Sequence, residues 1–168
     1  MEKDIIKQII LNQQEFISKV ELLPRKLSME KNANYVFVGI RRAGKTYMLY
    51  QHIQQLLRQG HDKQEILFIN FEDERITDIR KEELHLIVEC YKEMFACDPI
   101  IFLDEIQNVE GWEHFARRLA DEKRQVFITG SNAHMLSREI ASTLGGRYLM
   151  QEVYPFSFPE YLEYHHIT

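Results

Sequence analysis

Hydrophobic residues are concentrated in five short runs along this chain, at positions 35–39, 66–70, 100–103, 126–129 and 148–153. The first four runs are almost continuously apolar and rich in Val, Ile and Phe. Such runs are typical of strands that are buried on both faces of a parallel sheet. The pattern therefore predicts five β-strands.

Segments with a helical spacing of apolar residues follow the first three runs. An interval of three or four residues places these side chains on one face of a helix. The three apolar stripes consist of Met48, Leu49, Ile53, Leu56 and Leu57, of Leu84, Ile87, Val88, Tyr91, Met94 and Phe95, and of Trp112, Phe115, Ala116, Leu119 and Ala120. Strands that alternate with such helices predict a doubly wound α/β fold.

The first 32 residues are predicted to form an amphipathic helix and a linker that pack on this sheet. The apolar side of the helix consists of Ile6, Ile9, Ile10, Ile17 and Val20. Pro24 is expected to end the helix, because proline lacks the backbone N–H that the helix needs. A helix that docks on a partner protein is the alternative.

Residues 39–46, with the sequence GIRRAGKT, fit the pattern G-x-x-x-x-G-K-[ST] of a phosphate-binding loop. In such a loop the backbone N–H groups face the phosphates, so glycine is needed where a Cβ would collide or where φ is positive. The helix that follows directs its N-terminus at the anion. Lys45 would place its charge near the β- and γ-phosphates, which makes it a candidate for binding and for catalysis, and Thr46 would be a Mg²⁺ ligand.

The loop predicts a wider set of nucleotide-binding residues around these two. They are Gly39, Arg41, Arg42, Ala43, Gly44, Lys45, Thr46 and Tyr47. The two arginine side chains could face solvent, another domain or the nucleotide. A strand-to-helix turn without a ligand is the alternative interpretation of the whole loop.

Two carboxylates, Asp104 and Glu105, directly follow the third apolar run. They would lie at the carboxyl end of a strand, where open α/β sheets bind their ligands. We assign Asp104 to the Mg²⁺ ion, as in P-loop enzymes. Glu105 would orient and polarise the water that attacks the γ-phosphate.

The fourth run ends in polar residues that include Ser131 and Asn132. If this strand lies between the loop strand and the acidic strand, its end would reach the γ-phosphate. Ser131 is then a candidate for binding, and Asn132 for catalysis through a hydrogen bond to the phosphate or to the attacking water. Either residue could also cap the next helix.

Arg147 opens the fifth run, directly after two glycines. An arginine at this position could stabilise the charge of a transition state, in the same chain or from a neighbouring subunit. An ordinary surface arginine is the alternative.

Charge and composition narrow the functional classes. The chain has 21 Lys and Arg against 26 Asp and Glu, a net charge of −5, which argues against an extended DNA-binding surface. No apolar run approaches the ~20 residues that cross a bilayer, and the N-terminal residues are too polar for a signal peptide. Cys90 and Cys97 cannot form a disulfide framework or a zinc site by themselves. We therefore expect a cytoplasmic protein without a membrane partner.

Five strings together resemble the AAA-type P-loop ATPases of bacteria and archaea, specifically a family of ATPases with a C-terminal domain of unassigned function. The strings are GIRRAGKT, INFEDER, IIFLDEIQNVEGWE, ITGSN and LGGRYLMQEVYPFSFPEYL, which lie between residues 39 and 162. The doubled arginine, the DEIQ-x-x-x-x-W segment and the Y-P-F-S-F box are more diagnostic than the loop alone.

The resemblance implies a P-loop NTPase three-layer sandwich with a five-stranded parallel sheet in the order 5-1-4-3-2. It implies ATP and Mg²⁺ as cofactors, a sensing role for residues 129–132 and an arginine-finger role for Arg147. Residues 33–168 would form the ATPase core. Similar proteins continue through a helical lid and a further domain, so the lid is expected to be lacking or truncated here. The implied partners are ATP, the chain's own C-terminal domain and, in a homo-oligomer, other copies.

Several functions compete for this set of residues. The leading one is an ATPase whose hydrolysis moves an attached domain. A nucleotide-gated binding switch with little turnover, including one associated with DNA, is the alternative. A small-molecule kinase seldom needs a glutamate directly after the magnesium aspartate, and a GTPase would need an N-K-x-D string, which the sequence lacks.

Overall fold

The computed structural model of the protein describes residues 1–23, 29–41, 43–131, 135 and 137–155. The α-helices in these ranges are α1 (Lys3–Lys19), α2 (Lys45–Arg58), α3 (His85–Met94), α4 (Trp112–Asp121) and α5 (Arg138–Leu144). The strands are β1 (Tyr35–Val38), β2 (Ile66–Asn70), β3 (Ile100–Asp104), β4 (Gln125–Gly130) and β5 (Leu149–Glu152). None of the helices in the described ranges is long and apolar enough to span a membrane.

The five strands form one parallel sheet in the order β2-β3-β4-β1-β5. This is the predicted order 5-1-4-3-2 read from the other edge, so the predicted fold is confirmed. β3 and β4 extend one residue beyond their apolar runs, to Asp104 and Gly130. Asp104 aligns with Asn70, and Gly130 aligns with Val38. The hydrogen bonds between strands are made by the backbone and do not need apolar side chains. β3 and β4 can therefore continue past the last apolar residue of their runs.

One face of the sheet carries an aromatic row of Tyr35, Phe68, Phe102 and Phe127, which lie on four neighbouring strands. Their ring centroids are 6.5 Å apart for Phe68 and Phe102, 5.0 Å for Phe102 and Phe127, and 6.3 Å for Phe127 and Tyr35. α2 packs on this face. The aromatic row therefore holds the helix that begins at the phosphate-binding loop against the centre of the sheet.

The opposite face of the sheet is aliphatic, and α3, α4 and α5 cover it. Its strand residues are Val36, Val38, Leu67, Ile69, Ile101, Leu103, Val126 and Ile128. Successive side chains of a strand point to opposite faces of the sheet. The strands β1 to β4 therefore each supply apolar side chains both to the face covered by α2 and to the face covered by α3, α4 and α5.

The N-terminal helix α1 lies along the edge strand β2 and also contacts α2 and α3. Ile9 and Ile10 pack with the residues on the aliphatic face of the sheet, which we call the aliphatic layer. Ile17 packs with the residues on the face of the aromatic row, which we call the aromatic layer. Gln14 is 5% exposed, and its Nε2 donates a hydrogen bond of 2.8 Å to the carbonyl oxygen of Ile66. α1 thereby covers an edge that would otherwise present unpaired backbone groups. It ends at Lys19, and Pro24 lies outside the described residues.

Candidate functional site

The loop between β1 and α2 depends on glycine at two positions for two different reasons. At Gly39, an added Cβ would overlap with the carbonyl oxygen of Val153, which follows β5. Gly39 also donates from its backbone N–H to the carbonyl oxygen of Gly130 at 3.2 Å, so the loop leaves the sheet between β4 and β5. Gly44 precedes the first residue of α2 with φ of 91°, a left-handed conformation that favours glycine.

Lys45 is the first residue of α2, and its side chain is only 3% exposed. Its ammonium donates hydrogen bonds to the carbonyl oxygens of Gly39 and Ile40 at 2.8 and 2.9 Å, and to Oγ of Ser131 at 3.2 Å. It lies 3.7 Å from Oε1 of Glu105. The buried positive charge is thus held between the loop and the ends of β3 and β4.

Asp104 ends β3 and is 1% exposed. Its carboxylate accepts hydrogen bonds from the hydroxyl of Thr46, at 2.9 and 3.2 Å, and from the hydroxyl of Thr129. Burial raises the pKa of Asp104 from 3.8 to about 6, although these hydrogen bonds act in the opposite direction. A neighbouring cation would stabilise the ionised form of this desolvated carboxylate more than it would stabilise a carboxylate in water.

Glu105 is 7% exposed and adopts a left-handed backbone conformation with φ of 56°. Its backbone N–H donates to Oγ1 of Thr129 at 2.9 Å, which holds the turn against β4. Its carboxylate accepts from Oγ of Ser131 at 2.6 and 2.7 Å and from Nε2 of Gln107 at 2.7 Å. The turn directs the carboxylate back toward Lys45, and its oxygens are already engaged by neutral donors.

A cavity of about 230 Å³ opens at this point, at the carboxyl edge of the sheet. It is lined by Arg41, Gly44, Lys45, Thr46, Tyr47, Glu72 and Glu105. Six of these seven residues were predicted site residues; Glu72 was not. The carboxylate of Glu72 lies 2.7 Å from Nη2 of Arg41.

Mg²⁺ fits the pair formed by Thr46 and Asp104. Their side-chain oxygens are 2.9 Å apart, and a hydroxyl with a carboxylate is the donor set that this hard cation uses beside a phosphate. Within the described ranges, no group of three or more His, Cys, Asp or Glu side chains is placed to hold a metal. The ion would therefore take its remaining ligands from the phosphates and water.

The other predicted site residues lie in different environments. Ala43 is 2% exposed, and its side chain packs into the aromatic layer beneath the loop. Tyr47 is 59% exposed beside the cavity, and its ring meets that of Tyr50 edge to face at 5.6 Å. Arg42 and Asn132 lie outside the described residues.

Arg147 lies at the other end of the sheet. It precedes β5 by two residues, and Leu149 aligns with Tyr35 at the beginning of β1. Its guanidinium donates to Asp121 at 2.6 Å and to the carbonyl oxygen of Leu144 at 3.2 Å. The strand rises about 3.3 Å per residue, so Arg147 is too distant to act on a nucleotide in its own chain's cavity. The structure therefore does not bring Arg147 to the cavity of its own chain, and its arginine-finger role stays a prediction.

Three residues of the site had no individual role in the sequence interpretation. The hydroxyl of Thr129 donates to Asp104 and accepts from the backbone N–H of Glu105. The only feature of the sequence that pointed to it was a hydroxyl near the end of an apolar run. Gln107 had no signal beyond its position two residues after Glu105. Glu72 follows β2 closely, so the convergence of parallel strand ends was the available clue.

The comparison with known families gives a match over most of the chain. The family of the AAA domain matches residues 31–162. An uncharacterized protein of Methanocaldococcus jannaschii, MJ1544, is 37% identical over 164 residues, which are 96% of this chain and 36% of that protein. An uncharacterized protein of Haemophilus influenzae is 38% identical over 144 residues, or 82% of this chain and 36% of that protein. The chain thus spans about a third of the length of these curated relatives.

Among solved structures, AMPPCP-bound DnaA from Aquifex aeolicus is similar with a TM-score of 0.55 and 15% sequence identity, covering 98% of this chain and 51% of that chain. At this level of identity the likeness shows the fold alone. Taken with the phosphate-binding loop and the acidic end of β3, the match over residues 31–162 leads to the conclusion that the chain belongs to the AAA domain family and has a P-loop NTPase fold.

Proposed function

We propose that this chain binds ATP at the 39–46 loop and hydrolyses it with Mg²⁺. The observation that carries the proposal is the convergence of Lys45, Thr46 and Glu105 on one cavity, with the buried Asp104 hydrogen-bonded to Thr46. The nucleotide in the structurally similar DnaA, AMPPCP, supports a nucleotide as the ligand of this fold.

Each residue has a separate task in this proposal. Lys45 binds the phosphate chain, and it exchanges its bonds to the loop carbonyls for bonds to phosphate oxygens. Thr46 and Asp104 hold Mg²⁺, which when bound neutralises charge that develops on the phosphates. Glu105 orients the attacking water and accepts its proton. The Ser131 hydroxyl, which donates to the Glu105 carboxylate in this structure, competes with that water for the carboxylate oxygens.

The coupling of hydrolysis to movement is a proposal about the whole protein. The curated relatives are almost three times as long as their matched part, so a further domain is the natural recipient of the movement. In a homo-oligomer that placed Arg147 of one subunit beside the cavity of the next, its guanidinium could act as an arginine finger.

Replacement of Glu105 by Gln in the full-length protein tests the catalytic role. We expect steady-state ATP turnover to fall by about 10²- to 10⁴-fold, as for the loss of a general base, while the dissociation constant for ATP stays similar. Glu110→Gln is the matched control, since Glu110 is an exposed carboxylate after the same strand. Unchanged turnover in the Glu105 variant would discard the assigned role.

A nucleotide-gated binding switch with little turnover is the second candidate. It is favoured by the hydrogen bonds that the Ser131 hydroxyl and the Gln107 amide donate to the Glu105 carboxylate, because these donors compete with an attacking water for the base. Tight ATP binding with negligible turnover by the full-length protein, with and without DNA, would favour the switch. Rapid turnover by the protein alone would exclude it.

A further inference from the structure

The mouth of the cavity is bridged by an ion pair between two segments that are distant in sequence. Arg41 belongs to the phosphate-binding loop, and Glu72 follows β2. Nη2 of Arg41 lies 2.7 Å from Oε1 of Glu72, and both side chains line the cavity beside Lys45. The pair therefore lies where the phosphate chain of a nucleotide would enter.

The position of Glu72 is set by its backbone. Its N–H donates to Oδ1 of Asn70 at 2.9 Å, which closes a tight turn at the end of β2. The preceding residue, Phe71, is 1% exposed and donates from its N–H to the carbonyl oxygen of Asp104 at 2.9 Å. Glu72 is thus tied to the strand that carries Asp104, whereas its carboxylate reaches across to Arg41.

The charges around the cavity make this carboxylate unfavourable for a phosphate ligand. Lys45 and Arg41 supply two positive charges, and Glu72 and Glu105 supply two negative charges at the lining. A phosphate group is a strong acceptor for a guanidinium, since it can accept two parallel hydrogen bonds. A nucleotide phosphate that binds Arg41 competes with Glu72 for the same guanidinium.

We propose that Glu72 sets the nucleotide affinity of this site by competing with the phosphate chain for Arg41. The inference rests on the proposed ATP binding and adds Glu72 as a residue that determines affinity. When nucleotide binds, Arg41 transfers from the carboxylate to a phosphate, and Glu72 loses its partner.

A double-mutant cycle on the full-length protein tests the competition. Calorimetric titration with ATP and Mg²⁺ would compare Glu72→Gln, Arg41→Ala and the double variant with the unmodified protein, at low and at high salt. Glu72→Gln should tighten ATP binding about two- to fivefold at low salt, the range of an exposed ion pair. The gain should shrink at high salt because such pairs are screened, and it should be largely lost in the Arg41→Ala background.

Glu74→Gln is the control, because it removes the same charge from an exposed neighbour that does not line the cavity. The inference is overturned if the Glu72 and Glu74 variants bind ATP alike. It is also overturned if Glu72→Gln tightens binding equally without Arg41, because the effect would then be simple repulsion. An unmodified protein that does not bind ATP would overturn the proposed function as well.

Discussion

Charged side chains are buried to different extents at the two ends of the strands, which we call the carboxyl edge and the amino edge of the sheet. At the carboxyl edge, Lys45, Asp104 and Glu105 are 3%, 1% and 7% exposed, and they are bonded to the loop, to one another or to hydroxyl groups. At the amino edge, Arg147 and Asp121 form an ion pair whose side chains are 30% and 51% exposed. The carboxyl edge buries these three charges and leaves the outer pair of Arg41 and Glu72 exposed, whereas the pair at the amino edge lies in water.

Burial of charge is unfavourable for folding, because desolvation can exceed the attraction between the charges. The carboxyl edge therefore weakens the nucleotide-free protein, whereas the exposed pair at the amino edge contributes little in either direction. The difference indicates that the carboxyl edge is built for a ligand that compensates its charges. Substitutions at the two edges should accordingly separate effects on binding from effects on stability.

Among the substitutions that test this comparison, Lys45→Ala should have the largest effect on ATP binding. Loss of the charged hydrogen bonds to phosphate should weaken ATP binding by about 10- to 100-fold, since such bonds contribute about 1.5–3 kcal/mol. Isothermal titration with ATP and Mg²⁺ measures this. Lys63→Ala serves as control, because Lys63 is an exposed lysine that pairs with Glu15. Equal binding by the two variants would remove the phosphate-binding role from Lys45.

Asp104→Asn should abolish the dependence of nucleotide binding on Mg²⁺ and stabilise the nucleotide-free protein. The pKa of Asp104 is about 6 in the fold against 3.8 ordinarily, so the folded protein holds the proton more tightly than the unfolded chain. The ionised carboxylate is thus destabilising at pH 7, and its unfavourable contribution disappears as the pH falls toward 4. Denaturant unfolding at pH 7 should show a gain of about 1–3 kcal/mol for the variant. A loss of stability would contradict the assigned desolvation.

His52 provides a half-buried group whose pKa shifts in the opposite direction. Its ring packs on Phe127 at 4.7 Å, and burial lowers its pKa from 6.5 to about 4. The unfolded chain therefore binds a proton below pH 6.5 that the fold does not, so stability is lost as the pH falls from 6.5 to 4.

His52→Phe should make the stability difference between pH 7 and pH 5 smaller by about 1 kcal/mol. Chemical unfolding at the two pH values measures it, with His114→Gln as the exposed control. An unchanged difference in the His52 variant would mean that its ring is solvated at low pH.

The smallest effect is expected at the amino edge. Arg147→Ala should change the free energy of unfolding by less than about 1 kcal/mol and leave the ATP affinity of the monomeric protein unchanged. Thermal unfolding and ATP titration at a concentration at which the protein is monomeric measure both. A marked loss of affinity under these conditions would return Arg147 to the chain's own site.

The sequence was a good guide to the elements and to the carboxylates of the site. The apolar runs identified the strands because residues buried on both faces must be apolar throughout. Asp104 and Glu105 were found because polar residues at the ends of buried strands must share one edge of a parallel sheet. The strand order came from the resemblance to known ATPases, since hydrophobicity carries no information on which strands are neighbours.

The side chains that complete the site were less accessible to sequence reasoning. Glu72 is one of several acidic residues in its segment, and only its turn on Asn70 directs it to Arg41. Arg147 opens the fifth run, and the first residues of parallel strands lie opposite the strand ends that carry Asp104. The predicted parallel sheet thus already argued against a role for Arg147 in the site of its own chain.

The chain's own sequence determined that a phosphate-binding loop would meet two carboxylates at one sheet edge, because spacing along the chain and the pairing of parallel strands leave little choice. Only the tertiary structure decided which polar groups engage those carboxylates and which charges remain in water. Those outcomes depend on distances between segments far apart in sequence, and a contact of about 3 Å is set by packing rather than by local pattern.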